Sequence, residues 1–437
     1  MRVGSSRGAA ALAVALSVWV AGCGAGEKGG TPDGGKDTGP SRTAEKTTEP
    51  TEEQPRQLVA HDPPLMFGLA SGAPLNRFGV GAVALDGRKA YTYASGHGRI
   101  EVVDLASGES VGRGAGPKGT LPETYGEDAL EKKAPVCERK RPGVGTVGGK
   151  RLAVGVFPTV TKGTGTTADT STFELVAVDT ASGLAALQVP LDVPVSGDSC
   201  EVTGVSDSTA VLVLGGNLGP ATTYGIDLAT GRRVWDRPDF EATLVQRGKV
   251  VGKDHAGGEK TARALDAATG QELWRSKGLT SGATIRPFSP DLVHIAEDSA
   301  YGGDQVLGIA DGNPREVEGF GRRLHQVEKC VYDEKASTFC FARTTKGGEL
   351  AGYDAVSGKL LWTVGGPSEQ EGREAPLLLT AFHGAVYGQL LSDGRPGDPI
   401  VLDGGTGKDR ELSPGAAPLL VNEYAALTSR GWYTTTG

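Results

Sequence analysis

The chain has 437 residues, of which only 38% are hydrophobic, and it contains 68 glycines and 25 prolines. This composition excludes a helical bundle and favours short strands joined by tight turns. The formal net charge is −8, from 45 basic and 53 acidic residues. An acidic protein is a poor general ligand for nucleic acid, so we expect an all-β protein that does not bind nucleic acid.

Residues 1–22 have the composition of a lipoprotein signal peptide. Two arginines precede an apolar run, residues 9–21, that is too short for a comfortable membrane span. The run leads into Val-Ala-Gly-Cys, which matches the bacterial lipobox and predicts cleavage before Cys23 and lipidation of its thiol. The alternative is an ordinary secretory signal that leaves Cys23 as a free thiol. Lipidation would anchor the protein to the outer face of the cytoplasmic membrane, or to an outer membrane where the organism has one.

Residues 23–57 are predicted to be a disordered polar tether that starts at the lipidated cysteine. After that cysteine they are mostly Gly, Thr, Pro, Glu, Lys and Asp with almost no apolar residue, so the segment cannot bury a core. A flexible coil of this length spans roughly 30 Å, which is enough to hold a domain away from a membrane surface. We therefore expect the folded domain to occupy residues 58–437.

A repeated unit organises the folded domain. It consists of an apolar strand ending in Asp, two further residues, a Thr or Ser, a Gly and, in three copies, a Trp eight residues after the Asp. The Asp can accept hydrogen bonds from amides two residues on, and the Gly takes a positive φ at the end of the turn. The six clear copies are centred on Asp104, Asp179, Asp227, Asp266, Asp354 and Asp403. We assign a degenerate seventh copy to Asp311.

The spacing of the copies predicts a β-propeller. From Asp179 onward, successive aspartates lie 39 to 49 residues apart, close to the roughly 40 to 50 residues of a four-stranded antiparallel blade. The segments between them alternate at period two, as strands do. We predict seven blades bounded by these turns and an eighth completed by the two chain ends, with residues 58–76 supplying its outer strand. A seven-bladed ring is the alternative.

The D-x-x-[ST]-G-x-x-x-W unit resembles the repeat of the pyrroloquinoline-quinone-like β-propellers, the superfamily that includes quinoprotein dehydrogenases and BamB-like lipoproteins. The resemblance implies a tryptophan-docking contact between blades, and copies without Trp should have weaker contacts. We assign these contacts within the units of Asp227, Asp266 and Asp354, pairing Gly231 with Trp235, Gly270 with Trp274, and Gly358 with Trp362.

Four of the five cysteines are predicted to form two disulfides. Cys330 and Cys340 flank a predicted hairpin, where facing strand positions come within disulfide distance. Cys137 and Cys200 each lie just before a predicted blade-opening strand, and their bond would tie the insertion after the first unit to the next blade. The alternative is buried free thiols, which are less typical of an exported chain.

No stretch of the sequence assembles a catalytic, metal or cofactor site. Residues 114–119 and 143–148 match G-x-G-x-x-G, but neither opens a helix as a dinucleotide site requires. The six histidines show no metal-ligand spacing, and the acidic stretch 393–398 is better explained as a turn than as a Ca²⁺ loop. Quinoprotein dehydrogenases typically carry a vicinal disulfide, whereas this chain has no adjacent cysteines. We therefore expect no enzyme activity.

The lipobox, the tether and the propeller together resemble the layout of BamB-like lipoproteins. This layout favours a monomeric, membrane-anchored scaffold that binds an envelope protein or a small ligand. A quinone-dependent dehydrogenase and a sensor that binds a small molecule at the mouth of the propeller channel are the alternatives. Basic residues between positions 132 and 141 could bind an anionic envelope polymer, although a solvated loop is the simpler interpretation.

Overall fold

Thirty short strands form eight antiparallel sheets in the described part of the chain. The structure is a computed structural model that describes residues 58–69, 82–94, 98–122, 141–193, 200–215, 221–255, 260–280, 282–297, 303–320, 327–344, 347–365, 374–392 and 395–437. All of these belong to one compact unit, Gln54–Gly437. No helix in these ranges is long and apolar enough to cross a membrane.

Strand β1 (Phe67–Leu69) belongs to the last sheet, and the other strands follow blade by blade along the chain. Blade 1 contains β2 (Val83–Asp86), β3 (Lys89–Ala94) and β4 (Arg99–Asp104). Blade 2 contains β5 (Gly143–Val147), β6 (Lys150–Thr161), β7 (Thr170–Asp179) and β8 (Leu184–Leu191). Blade 3 contains β9 (Cys200–Ser206), β10 (Thr209–Leu214), β11 (Thr222–Asp227) and β12 (Arg232–Pro238). Blade 4 contains β13 (Phe240–Gln246), β14 (Lys249–Asp254), β15 (Lys260–Asp266) and β16 (Glu272–Leu279).

The second half of the ring repeats this arrangement. Blade 5 contains β17 (Thr284–Ser289), β18 (Leu292–Ala296) and β19 (Gln305–Gly308). Blade 6 contains β20 (Val327–Tyr332), β21 (Ser337–Thr344), β22 (Gly347–Asp354) and β23 (Leu360–Gly365). Blade 7 contains β24 (Leu377–Phe382), β25 (Ala385–Ser392), β26 (Arg395–Asp403) and β27 (Asp409–Glu411). Blade 8 contains β28 (Leu420–Val421), β29 (Ala425–Thr428), β30 (Gly431–Thr435) and β1.

Each blade is a run of antiparallel hairpins. The first strands of neighbouring blades contact one another, as β5 and β9 do and as β20 and β24 do, so these strands line the channel. Blades 1 and 5 have three named strands, and isolated bridges mark the position of the fourth, at Ser110 and Ala115 in blade 1 and at Pro314 in blade 5.

The two chain ends close the ring in blade 8. Strand β1 pairs with β30 in antiparallel register, with Phe67 opposite Thr435 and Leu69 opposite Tyr433. The chain order of the sheet is β1-β30-β29-β28, so the N-terminal segment supplies the outer strand. The eight-bladed prediction is therefore confirmed, including the origin of the closing strand, and the seven-bladed alternative is excluded.

The repeated turns have the predicted chemistry. In all six clear copies the turn Asp accepts backbone hydrogen bonds through its carboxylate; Asp227 Oδ1, for example, accepts from the amides of Ala229 at 2.6 Å and Thr230 at 3.1 Å. The amide of the turn Gly donates to the Asp carbonyl, and the φ of that Gly lies between 66° and 74°, a conformation that other residues rarely adopt. These turns connect the third strand of a blade to the fourth.

The seventh copy is displaced from the position assigned to it. Gly312 N–H donates to Gly308 O at 2.8 Å, the bond that joins turn Gly to turn Asp in the other copies. Gly308 therefore occupies the Asp position. Asp311 takes the Ser/Thr position, where Oδ1 accepts from the Asn313 amide at 3.1 Å, as the hydroxyl oxygens do elsewhere. The assignment of the turn Asp to Asp311 is wrong by three residues.

The hydrophobic core lies between blades rather than within one of them. Both faces of a central strand are covered by neighbouring blades, so a strand such as β10 is buried along its whole length. Residues of blades 2 and 3, including Phe173 and Leu212, share one cluster, and residues of blades 6 and 7, including Phe339 and Leu402, share another. Because a blade buries its apolar faces only against its neighbours, the ring is stabilised as a whole.

Candidate functional site

The predicted docking tryptophans do lie between blades, but each one packs against the turn of the next unit. Trp235 Nε1 donates to the carbonyl of Ala267 at 2.8 Å. Its ring lies against Gly270, where a Cβ atom would come within 2.5 Å of the indole. The same arrangement repeats for two other tryptophans: Trp274 with Ile309 O and Gly312, and Trp362 with Gly404 O and Gly407.

The pairing of Gly and Trp within one unit is therefore wrong. Gly231 lies against Val189 of blade 2, and Gly358 lies against Val317 of blade 5. Within its own blade, Trp235 pairs across the ladder with Gly225 and lies flat over it. The Trp follows its turn Asp onto the outermost strand, which faces the following blade, so only the turn of that blade is within reach.

The structure describes one of the two predicted disulfides completely and only one cysteine of the other. Cys330 and Cys340 are bonded and lie opposite each other on β20 and β21, as predicted from the hairpin. Cys200 is disulfide-bonded and is the first residue of β9. Its predicted partner Cys137 lies outside the described residues, as do the lipidation site Cys23 and the whole predicted tether.

The glycine motifs have structural roles. At residues 114–119 the amides of Lys118 and Gly119 donate to the Glu174 carboxylate at 2.7 and 3.0 Å, so a carboxylate of the chain itself occupies this loop. The second motif forms β5. Among the described residues there is no cluster of three or more His, Cys, Asp or Glu side chains able to hold a metal ion.

A cavity of about 520 Å³ opens at one end of the channel. Its wall includes turns between the first and second strands of several blades, and these turns carry charged side chains. The charged lining residues are Asp86, Arg141, Arg151, Glu334, His383 and Glu423. We call this cavity the channel mouth and treat it as the candidate ligand site.

One wall of the channel mouth is a closed ion pair between blades 1 and 2. Arg151 Nε and Nη2 donate to the two Asp86 carboxylate oxygens at 2.7 and 3.0 Å, and this bond raises the pKa of Arg151. Burial, with the adjacent Asp86 charge, raises the pKa of the Tyr91 hydroxyl to about 12. That hydroxyl donates to Asp86 at 3.3 Å, so the pair is a fixed, charge-neutral wall.

The opposite wall carries titratable groups in strained turns. Desolvation by the channel wall raises the pKa of Glu334, and the Glu423 charge adds to this, although His383 and Arg141 oppose it. Glu334 is an exposed residue that lines the cavity. His383 Nδ1 lies 2.5 Å from Asp62 Oδ1, and its ring stacks on Phe382 with centroids 3.9 Å apart. Glu334 and His383 both have positive φ, 63° and 43°.

The mouth presents charged and polar groups of the kind that bind a small polar ligand. Its carboxylates are paired with basic groups or separated on different blades, and no nucleophile with an adjacent base occurs among its described residues. Sequence reasoning named the channel mouth as an alternative ligand site but did not identify its charged residues, because they lie up to about 340 positions apart. The signal available was the charged residue found in most of the turns between the first and second strands of a blade, such as Asp86 and Glu334.

Comparison with protein-family models identifies one family. The family model described as outer membrane protein assembly factor BamB (PQQ_2) matches residues 194–319 and 258–430. These matches together span more than half of the chain. A search of curated proteins finds no match.

Solved structures with similar folds include natural and designed propellers. BamB from Moraxella catarrhalis is 16% identical with a TM-score of 0.43, and the match covers 80% of this chain and 94% of that one. Quinohemoprotein alcohol dehydrogenase from Comamonas testosteroni is 13% identical with a TM-score of 0.45, covering 86% and 73%. The computationally designed protein Ika8 is 18% identical with a TM-score of 0.36, covering 80% and 99%.

The repeat chemistry, the closed eight-bladed ring and the extent of the family match agree with one another. A fold of this kind supports protein binding in general, and the Cys330–Cys340 disulfide is consistent with an extracytoplasmic location. The chain belongs to the BamB family of pyrroloquinoline-quinone-like β-propellers.

Proposed function

We propose that this chain is a lipid-anchored, exported lipoprotein whose non-catalytic propeller is a binding scaffold for proteins of the cell envelope. The proposal rests on the observation that the residues of the repeated motif serve to build the blades and to dock them on one another. Its aspartates hold their own turns and its tryptophans seal blade junctions. The motif therefore builds a platform, and function is left to the surface of the ring.

Membrane anchoring rests on the lipobox and the polar tether. Cys23→Ala removes the thiol that would be lipidated, so the protein should move from the membrane fraction to the soluble exported fraction. A double variant, Cys330→Ala with Cys340→Ala, loses two other cysteines and should stay in the membrane fraction. Membrane association of Cys23→Ala that equals the wild type would contradict the proposal.

The scaffold role predicts specific protein contacts in cells. Val234 and Leu273 are exposed apolar residues on the outer strands of blades 3 and 4, at 48% and 43% exposure. A photo-crosslinking amino acid at these positions should yield adducts of defined mass if the perimeter binds a partner. A buried position such as Val211 serves as the control. Failure to form any adduct at exposed positions around the ring would count against a scaffold.

The channel mouth supports a second candidate, a sensor for a small polar ligand. The cavity of about 520 Å³ has a suitable size, and the Glu334 carboxyl and the His383 imidazole offer polar groups to a ligand. Pyrroloquinoline quinone with Ca²⁺ is the sharpest probe, since it also tests the dehydrogenase alternative. A rise in Tm without oxidation of alcohols or sugars by a dye-linked assay would favour sensing. A rise with turnover would contradict the non-catalytic proposal.

A further inference from the structure

Several turns at the channel mouth carry a charged side chain where the backbone favours glycine. In blades 1 and 2, positive φ in the turn between the first and second strands falls on glycines such as Gly87 and Gly148, at 54° and 56°. In blades 4, 6 and 7 it also falls on Arg247, Glu334 and His383, at 46°, 63° and 43°. Residues with a Cβ atom rarely adopt this conformation, so each of these charged residues calls for a reason.

Two of the three charged residues connect their turn to a neighbouring element. Arg247 Nη1 donates to Asp291 Oδ1 in the corresponding turn of blade 5, at 2.8 Å. His383 Nδ1 lies 2.5 Å from Asp62 Oδ1, in the segment that leads into β1 of blade 8. These bridges between blades account for Arg247 and His383.

Glu334 has no comparable bridge. Its carboxylate makes no hydrogen bond or ion pair with another described residue. Desolvation raises the pKa of this carboxyl, and the nearby basic groups of His383 and Arg141 do not offset the effect. A carboxyl with a perturbed pKa that lines a cavity and lacks a structural partner is a candidate for contact with a ligand.

The open charges of the mouth are predominantly acidic. Glu423 of blade 8 faces the same space as Glu334, since its charge adds to the raised pKa of that carboxyl. Glu423 also makes no ion pair among the described residues. On the opposite wall Arg151 neutralises Asp86. Arg141 is the one lining cation outside the ion pairs of the described residues, so two carboxylates are open against one guanidinium.

Much of the remaining wall is apolar. The cavity has a volume of about 520 Å³, within the range of small-molecule sites. Its apolar lining includes Leu85, Val202, Val205, Val245, Leu420 and Val421. Side chains of this kind favour a ligand with a hydrocarbon body, whereas the open carboxylates favour a cationic group that donates hydrogen bonds.

An ammonium group fits this arrangement better than a metal ion. Glu334 and Glu423 belong to different blades, and the described residues contain no cluster of three or more His, Cys, Asp or Glu side chains able to hold a metal. An ammonium group offers three donors and accepts partners on separate elements. We propose that the channel mouth binds a primary amine in its ammonium form, held by Glu334 and Glu423, with its hydrocarbon body against the apolar wall. This inference rests on the second candidate function, ligand sensing at the mouth, and names the class of ligand.

A pair of small molecules tests the class of ligand. Cyclohexylamine is cationic at neutral pH and has a compact hydrocarbon body. It should bind the full-length protein in a nonionic detergent with a Kd of about 1 mM or lower, as measured by isothermal titration calorimetry. Cyclohexanol has the same ring with a neutral hydroxyl and should bind at least about tenfold more weakly. Equal binding of the two compounds, or no binding of cyclohexylamine at about 10 mM, would overturn the proposal.

Variants of the chain locate the binding to the mouth. Glu334→Gln keeps the size of the side chain but removes its charge, so it should weaken cyclohexylamine binding at least about tenfold without lowering Tm. Glu423→Gln should weaken binding about threefold or more. Glu374→Gln removes the same charge at an exposed position outside the cavity and should leave binding unchanged. Wild-type binding by Glu334→Gln, or an equal weakening by Glu374→Gln, would show that the amine does not bind at this site.

The outcomes separate this inference from the proposed functions. If cyclohexylamine fails to bind while pyrroloquinoline quinone with Ca²⁺ raises Tm, the amine proposal is wrong and ligand sensing stands. If neither probe binds, both are wrong. The scaffold and the anchor are tested independently, by crosslinking at Val234 and by membrane release of Cys23→Ala, and neither result depends on Glu334.

Discussion

Two sides of the ring add different contacts to the apolar clusters that lie between their blades. From blade 3 to blade 5, and again between blades 6 and 7, an indole packs on a turn glycine and donates one hydrogen bond. Around blades 8, 1 and 2, polar side chains bridge the junctions. Asn422 donates to Gly87 O at 2.8 Å, Lys89 Nζ donates to Thr180 O, and Arg151 binds Asp86.

This difference shows that one fold can be sealed by two kinds of force. Burial of an indole is non-directional and insensitive to salt, because it removes apolar surface from water. A side-chain ion pair or hydrogen bond at the surface is directional, and its charged forms are screened by salt. The contribution of the docking tryptophans should therefore resist changes of pH and ionic strength that weaken the Asp86–Arg151 pair.

Removing a docking indole should produce the largest effect. Trp235 is only 6% exposed, and truncation of a buried Trp costs about 3 to 5 kcal/mol of unfolding free energy. We expect Trp235→Ala to lose that amount in urea unfolding followed by circular dichroism, at low and high salt alike. Trp235→Phe keeps a ring but not the bond to Ala267 and should lose less. A loss below 1 kcal/mol for the Ala variant would mean that docking does not seal the junction.

Breaking the disulfide should have the next largest effect. The Cys330–Cys340 bond closes a short loop with a sequence separation of 10, and closing such a loop contributes about 2 to 3 kcal/mol. The double alanine variant should lose this amount under oxidising conditions, which keep the bond of Cys200 intact in both proteins. Since the bond lies within blade 6, its loss should leave the salt dependence of stability unchanged. An altered salt dependence would contradict this expectation.

The ion pair between blades 1 and 2 should contribute less, and only at low salt. Asp86 and Arg151 have side chains that are 32% and 44% exposed, so solvent screening limits the bidentate pair to about 1 kcal/mol. Asp86→Asn should lose this amount at low ionic strength and much less at 1 M salt, where the screening length falls to about 3 Å. Asp291→Asn, which breaks the more exposed pair with Arg247, is the control and should lose less. Equal losses at both salt concentrations would contradict the comparison.

Glu334 should give the smallest effect, and that effect should depend on pH. Because its pKa is raised in the folded state, the folded protein binds more protons than the unfolded chain at pH values just above the ordinary pKa of 4.5. Stability from this group therefore falls as the pH rises through that window, and the ionised carboxylate is a cost at neutral pH. Glu334→Gln should raise Tm at pH 7 and leave it unchanged below the ordinary pKa. A Tm difference that is the same at all pH values would be inconsistent with the raised pKa.

The fold could be predicted because its determinants are local. Asp227, the residues after it and Gly231 form a turn through contacts within five positions, and the same pattern recurs at blade spacing. The partner of each tryptophan could not be predicted in this way, because Trp235 meets Gly270 across a blade boundary. The degenerate copy was misplaced for a related reason: Asp311 supplied the expected residue type, whereas the backbone bond identifies Gly308.

The candidate sites were harder to predict than the fold. The channel mouth combines Asp86 with Glu334 and His383, which no local pattern connects. Chemistry that arises from single residues of separate blades requires the three-dimensional ring before it can be recognised.

The pairing of β1 with β30 makes the folded state depend on both ends of the propeller. Phe67 finds its partner Thr435 only after all eight blades have been synthesised. A polypeptide that stops before residue 420 would lack three strands of blade 8 and would leave blades 1 and 7 with uncovered faces. Exposed faces and unpaired strand edges promote aggregation and proteolysis. Closure of blade 8 thus distinguishes products truncated within the propeller from those that contain all eight blades.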